Sequence, residues 1–167
     1  RIESGASGLS DANVPSATGS PAAPRTHITR FWVHYRLTDR MGVVYYGNYL
    51  ELFELARSTM IRDAGWRYSD MEADGFMLPV VHAEVDYLSP AYYDDLLLIE
   101  TRIERLSSRR IDFHYELRRN DDPAVICRGK TSHLVAGPDG RPRRLSPHWM
   151  ERLGNMVFQP QMDTDQG

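Results

Sequence analysis

Only one long stretch of the chain, "NYLELFELARSTMIRDA" from Asn48 to Ala64, carries a helical period, and the segments around it alternate as strands do. Tyr49, Leu52, Phe53, Ala56 and Met60 recur at the spacing of one helix face. Leu50 and Ile61 flank that stripe, and Leu55 falls on the polar side, so the helix is apolar around much of its girth. Asn48 reads as its N-cap and Gly65 as its stop. Ahead of it, "TRFWVHYRL" (29–37) reads as a half-buried strand with Phe31, Val33 and Tyr35 on one face. Behind it come "FMLPVVHAEVDYL" (76–88), "DLLLIETRIERL" (95–106), "RRIDFHYELRR" (109–119) and "AVICRGKTSHLVA" (124–136). Ser107-Ser108 and the Gly-Pro-Asp-Gly run at 137–140 supply turns, and a short helix is expected from about Pro147 to Asn155.

One long helix among about five strands predicts an α+β domain: a mostly antiparallel curved sheet with the helix against one face. Apolar surface left on the helix predicts a second subunit over it. The domain is expected over 26–158. Residues 1–25, rich in Gly, Ser, Ala and Pro, read as a disordered leader or cloning remnant, and 159–167 as a flexible tail. A net charge of −3 gives no electrostatic ground for a nucleic-acid partner. "GRPRRL" lacks the interleaved aromatics that such a partner needs. No apolar run approaches the roughly 20 residues of a membrane span. The single cysteine, Cys127, excludes an internal disulfide and suits a reducing, cytoplasmic setting.

Between the first strand and the helix lies "TDRMGVVYYGNY" (38–49), an acid and two glycines around an apolar and aromatic run. An Asp ahead of a helix is ordinarily a turn former or cap. The other reading of Asp39 is a reactive carboxylate beside unsatisfied N–H groups at a helix start.

Asp39-x-x-Gly42-Val43-Val44-Tyr45-Tyr46-Gly47-Asn48-Tyr49 followed by "FELAR", with the order of elements, resembles the hot-dog-fold acyl-CoA thioesterases. The nearest groups are the 4-hydroxybenzoyl-CoA thioesterase family and its Tol–Pal-associated branch. "YLSPAYYDDLLLIETRIERLSSRRIDFHYEL" extends the likeness through the family's second to fourth strands. The resemblance implies hydrolysis of an acyl-CoA, or of an acyl-carrier-protein thioester, to free acid and thiol. It requires no cofactor, since CoA is part of the substrate, and no metal. It implies a homodimer or homotetramer with two sites per dimer.

A thioester carbonyl is electrophilic and a thiolate leaves readily, so such an enzyme needs a carboxylate to attack or to activate water, plus an oxyanion stabiliser. By resemblance these roles fall on Asp39 and on the N–H of Tyr46, seven positions later, with Gly47, Gly42 and Asn48 beside them. In the Tol–Pal-associated branch the Tyr46 position is commonly His; a backbone role survives that difference and an imidazole role does not.

Glu54 is a reserve catalytic acid, because some relatives place one on the central helix. On a helical wheel it lies at the rim beside Arg57, where a structural ion pair is the plainer reading. His82, Glu84 and Asp86 share one strand face, a weak metal pattern; an exposed polar face, or a substrate wall for His82, accounts for them better. For the CoA phosphates the resemblance points to basic residues of the later strands, first Arg109, Arg110 and Lys130. Cys127 reads as a core or interface thiol. Two other classes stay open: a non-catalytic acyl-CoA or carrier-protein binding module on the same fold, and a hot-dog dehydratase, whose Asp/His helix-start motif is absent from the sequence.

Overall fold

The computed structural model describes residues 25–158. The leader and tail expected at the two ends fall outside the described residues, Arg25 excepted. Five strands form one sheet: β1 (His27–Trp32), β2 (Val80–Tyr87), β3 (Leu96–Leu106), β4 (Arg110–Arg119) and β5 (Asp122–Leu134). Their order is β1-β3-β4-β5-β2, and every pairing is antiparallel. Among the described residues three helices accompany them: α1 (Asn48–Asp63), α2 (Tyr68–Ala73) and α3 (Pro147–Gly154).

Helix α1 packs on one face of the sheet because its stripe of Tyr49, Leu52, Phe53, Ala56, Met60 and Ile61 is buried there. The strands offer matching residues: Leu97, Ile99, Thr101 and Ile103 from β3, and Ile111, Phe113, Tyr115 and Leu117 from β4. The Phe53 ring stacks on Tyr115 at 4.4 Å and 6°. It also presses on Gly129 of β5, where any Cβ would run into the ring. Gly129 is therefore a contact point between helix and sheet. Gly65, at φ +93°, ends α1 as expected.

Three expectations need correction. The first strand stops at Trp32, and Tyr35–Leu37 forms a 3-10 turn. Burial alternates as far as Val33, but Tyr35 is 77% exposed, because the chain there turns away toward the Asp39 loop. The strand expected from 76 begins only at Val80. Its predecessors Phe76 and Leu78 are core residues near α2, a helix too short to show a period. Asn48 is not the N-cap. Gly47 holds that position, and the Asn48 amide donates instead to the Leu37 carbonyl (2.9 Å), tying the start of α1 to the turn before it.

Beneath α1 runs a chain of polar contacts whose direction is set by its first member. Arg57 only donates, and its Nη1 lies 3.0 Å from the Tyr115 hydroxyl. Tyr115 then donates to Thr131 (2.9 Å), and Thr131 to His133 Nε2 (2.9 Å). His133 Nδ1–H is left to donate to the Leu78 carbonyl (3.0 Å). The buried ring is thus the neutral Nδ1–H tautomer, in keeping with a titration pushed down to about 4 by burial.

Candidate active site

A narrow loop carries Asp39 between the 3-10 turn and α1. Thr38 and Val44 pair across its base. The Asp39 N–H donates to Val43 O (2.9 Å) and Gly42 N–H to Asp39 O (3.0 Å). The Met41 N–H donates to Asp39 Oδ1 (2.8 Å). Closing so tight a turn requires φ +77° at Gly42, with open space where a Cβ would stand. Glycine is needed there for its backbone and not for close packing. Asp39 is thus a turn former, and it does more. Its second oxygen, Oδ2, receives no hydrogen bond among the described residues, and the side chain lines a cavity of about 300 Å³.

Tyr46 lines the same cavity. Its N–H and that of Gly47 donate to no backbone carbonyl among the described residues, as the start of a helix leaves them. Asp39 and Tyr46 therefore line one cavity, and each keeps a polar backbone or carboxylate group without a partner among the described residues. The Tyr46 carbonyl, meanwhile, accepts the Tyr87 hydroxyl from the end of β2 at 2.8 Å. The Tyr87 ring meets Tyr46 and Tyr49 edge-on, with centroids at 6.3 and 5.3 Å, so much of the wall is aromatic. Burial pushes the Tyr49 phenol up to about 12, which keeps it neutral. Leu88, Ser89 and Pro90 close the far side.

Tyr87, Tyr49 and the 88–90 segment escaped the sequence reading as site residues. The available signal was "YLSP" at the end of an apolar strand, which marks a strand end and nothing more specific. Tyr45 is half exposed, its ring 4.5 Å from Tyr46 and close against Gly47.

The other candidates lie elsewhere in the chain. Glu54 is exposed and lines a separate cavity of about 110 Å³ with Arg57, Ser58, Tyr68 and His133. The ion pair expected between Glu54 and Arg57 is not formed; Arg57 reaches Tyr115 and lies 5.7 Å over the Phe113 ring. His82 is exposed on β2, bonded to Glu84 at 2.7 Å, and does not line the Asp39 cavity. Among the described residues no cluster of three or more His, Cys, Asp or Glu is placed to hold a metal. Since Gly129 faces α1, alternation puts Lys130 on the opposite face, where it pairs with Glu104 at 3.3 Å. Arg110 pairs with Asp112 (2.8 Å) and donates to Ser132 (3.0 Å), while Arg109 is exposed. Arg110 and Leu134 pair with each other at the Val80 end of β2, whereas the Asp39 cavity lies at its Tyr87 end. Cys127 is buried, which pushes its thiol up to about 12 and leaves it unsuited to act as a nucleophile.

Residues 41–126 match the family model of the thioesterase superfamily. A 1,4-dihydroxy-2-naphthoyl-CoA hydrolase of Synechococcus elongatus is 34% identical over 118 residues, 70% of this chain and 83% of that one. YneP of Bacillus subtilis, a candidate acyl-CoA thioesterase, is 32% identical over 121 residues, 70% of this chain and 87% of its own. Among solved structures, the DHNA-CoA thioesterase of Staphylococcus aureus superposes with a TM-score of 0.73 at 32% identity, covering 78% of this chain and 89% of that one.

Proposed function

The chain belongs to the thioesterase superfamily, and from that premise we propose that its acyl-CoA thioesterase activity is carried by Asp39 and the Tyr46 N–H. The observation that supports this most is their shared cavity, with Asp39 Oδ2 and the N–H both unengaged. The thioester oxygen accepts the Tyr46 N–H, so the charge that develops on it meets a donor already in place. Asp39 Oδ2 either attacks the carbonyl carbon or takes a proton from the attacking water. On both routes the carbon–sulfur bond breaks and the sum is thioester plus water to carboxylic acid plus CoA thiol. The Tyr87 hydroxyl, held on the Tyr46 carbonyl, restrains the Tyr46–Gly47 peptide, the unit next to the one that carries the Tyr46 N–H.

The tyrosine-lined wall and the naphthoyl-CoA hydrolases among the relatives both favour an aromatic acyl group. A second copy of the chain completes the site in this reading. β2 is an edge strand with Val80, Val81 and Tyr87 about half exposed, and nothing covers its outer edge among the described residues. Antiparallel pairing of two such edges lays the Val80 end of one beside the Tyr87 end of the other. That brings Arg109, Arg110 and the Glu54 cavity of one copy toward the Asp39 cavity of its partner, whereas Lys130 sits opposite Glu84 at mid-strand and stays with Glu104. Arg109, exposed and free of carboxylate partners among the described residues, is the first contact we assign to the CoA phosphates.

The test is thiol release over aromatic and aliphatic acyl-CoAs of graded length, with acyl-carrier-protein thioesters alongside. Turnover of an aryl-CoA above the aliphatic series supports the reading, and absence of thiol release from every member refutes it. No observation favours a non-catalytic binding module, and the family speaks against one.

A further inference from the structure

The Asp39 loop does not hold its shape alone. Its Val44 N–H donates to the Ala91 carbonyl (2.8 Å), and Val43 pairs with Tyr92. Both partners belong to the segment 88–95, which also supplies Leu88, Ser89 and Pro90 to the cavity. This segment is irregular. It contains Asp94 at φ +68°, a left-handed conformation that costs an L residue free energy and persists only when neighbours impose it.

Backbone hydrogen bonds with Val33 hold Asp94 and Asp95 (3.0 and 2.9 Å), and one side chain outside the cavity braces the same segment. Arg119, the last residue of β4, donates from Nε to Asp95 Oδ2 (3.0 Å) and from Nη2 to the Pro90 carbonyl. Its guanidinium also lies 5.8 Å over the Tyr92 ring. The same Asp95 oxygen accepts the Tyr92 N–H at 2.8 Å. Arg119 thus grips the segment on both sides of Ala91, the residue whose carbonyl receives Val44. The pair is mostly covered, with side chains 19% and 22% exposed, so it is screened less than a surface ion pair.

The geometry points to Arg119 as a positioning residue for hydrolysis. It fixes 88–95, that segment fixes Val43 and Val44, and these set the Asp39 carboxylate against the Tyr46 N–H. The inference rests on the catalytic reading of Asp39. A planar fork reaching two oxygens and an aromatic face is work for Arg that Lys reproduces only in part. Its loss is expected in the transition state more than in substrate binding, since small misplacements of reacting groups are costly.

The experiment compares Arg119→Met and Arg119→Lys with Arg118→Met. Arg118, the neighbouring residue, spends its guanidinium on Glu100 and Glu116, away from the cavity. With benzoyl-CoA, Arg119→Met should lower kcat by about 10- to 100-fold per folded molecule, with KM within about twofold. Arg119→Lys should recover part of the loss, and Arg118→Met should match wild type. Amide exchange supplies a readout independent of activity: Arg119→Met should speed exchange in peptides covering 39–49 and 88–95 but not in β4. Wild-type kcat with unchanged exchange in those peptides overturns the inference, and so does exchange accelerated evenly across the molecule. If the wild type hydrolyses no thioester, the catalytic reading falls, while the exchange pattern still decides whether Arg119 holds the Asp39 loop.

Discussion

Gly42 holds φ +77° in the turn that aims Asp39, a conformation that costs an L side chain about 1–2 kcal/mol. Gly42→Ala should lower the unfolding free energy by about that amount in urea melts, although nothing stands in the way of the new methyl group. Tyr87→Phe keeps the ring contacts and removes the hydroxyl from the Tyr46 carbonyl. We expect kcat/KM to fall up to about tenfold, the worth of one such hydrogen bond, with the melting temperature little changed. At this scale the sequence was legible where partners share a loop. Asp39, Gly42 and Tyr46 lie within eight residues, and their spacing has a chemical meaning. Tyr87 is 41 positions from the carbonyl it binds, so only the folded chain makes them neighbours. Arg57 misled for the same reason: Glu54 is near in sequence, but Tyr115 is nearer in space.

Among the elements, α1 and the sheet meet most closely where Phe53 covers Gly129. Gly129→Ala should cost about 1–3 kcal/mol through overpacking, and Phe53→Leu in the same chain should restore part of it in thermal melts. The buried chain from Arg57 to His133 makes a pH prediction. The imidazole titrates at about 4 in the fold against 6.5 when free, so the folded form binds fewer protons than the unfolded form. Its contribution is complete above pH 6.5 and is lost as pH falls toward 4, at most about 3 kcal/mol. A proton on Nε2 would make Thr131 accept there, and Arg57 already occupies the other end of the chain. Urea melts at steps from pH 7 to 4 should show this slope, and His133→Gln should flatten it. Long elements were readable because α1 repeats its apolar stripe over 16 residues and β3 alternates in burial from Leu96 to Ile103. α2 was not, because six residues define no period and Asp70 caps it by accepting the Arg67 N–H, a contact with no distinct sequence mark.

For the whole molecule, the antiparallel pairings followed from short turns, but the strand order did not. β1 joins β3, and β2 crosses to the far edge beside β5, because the segment from α1 to β2 spans the width of the sheet. That crossing leaves β2 as an exposed edge with an apolar side, the feature on which the proposed dimer rests. Val81 is 51% exposed, so Val81→Asp should leave the isolated fold intact. It should shift the protein from dimer to monomer in light scattering and lower kcat with it. The central claim, that Asp39 performs the chemistry beside the Tyr46 N–H, is tested most directly by one rate. For Asp39→Asn, with circular dichroism and CoA affinity matching wild type, kcat on the best aryl-CoA should fall by at least about a hundredfold. A folded Asp39→Asn protein that releases thiol at the wild-type rate would contradict it.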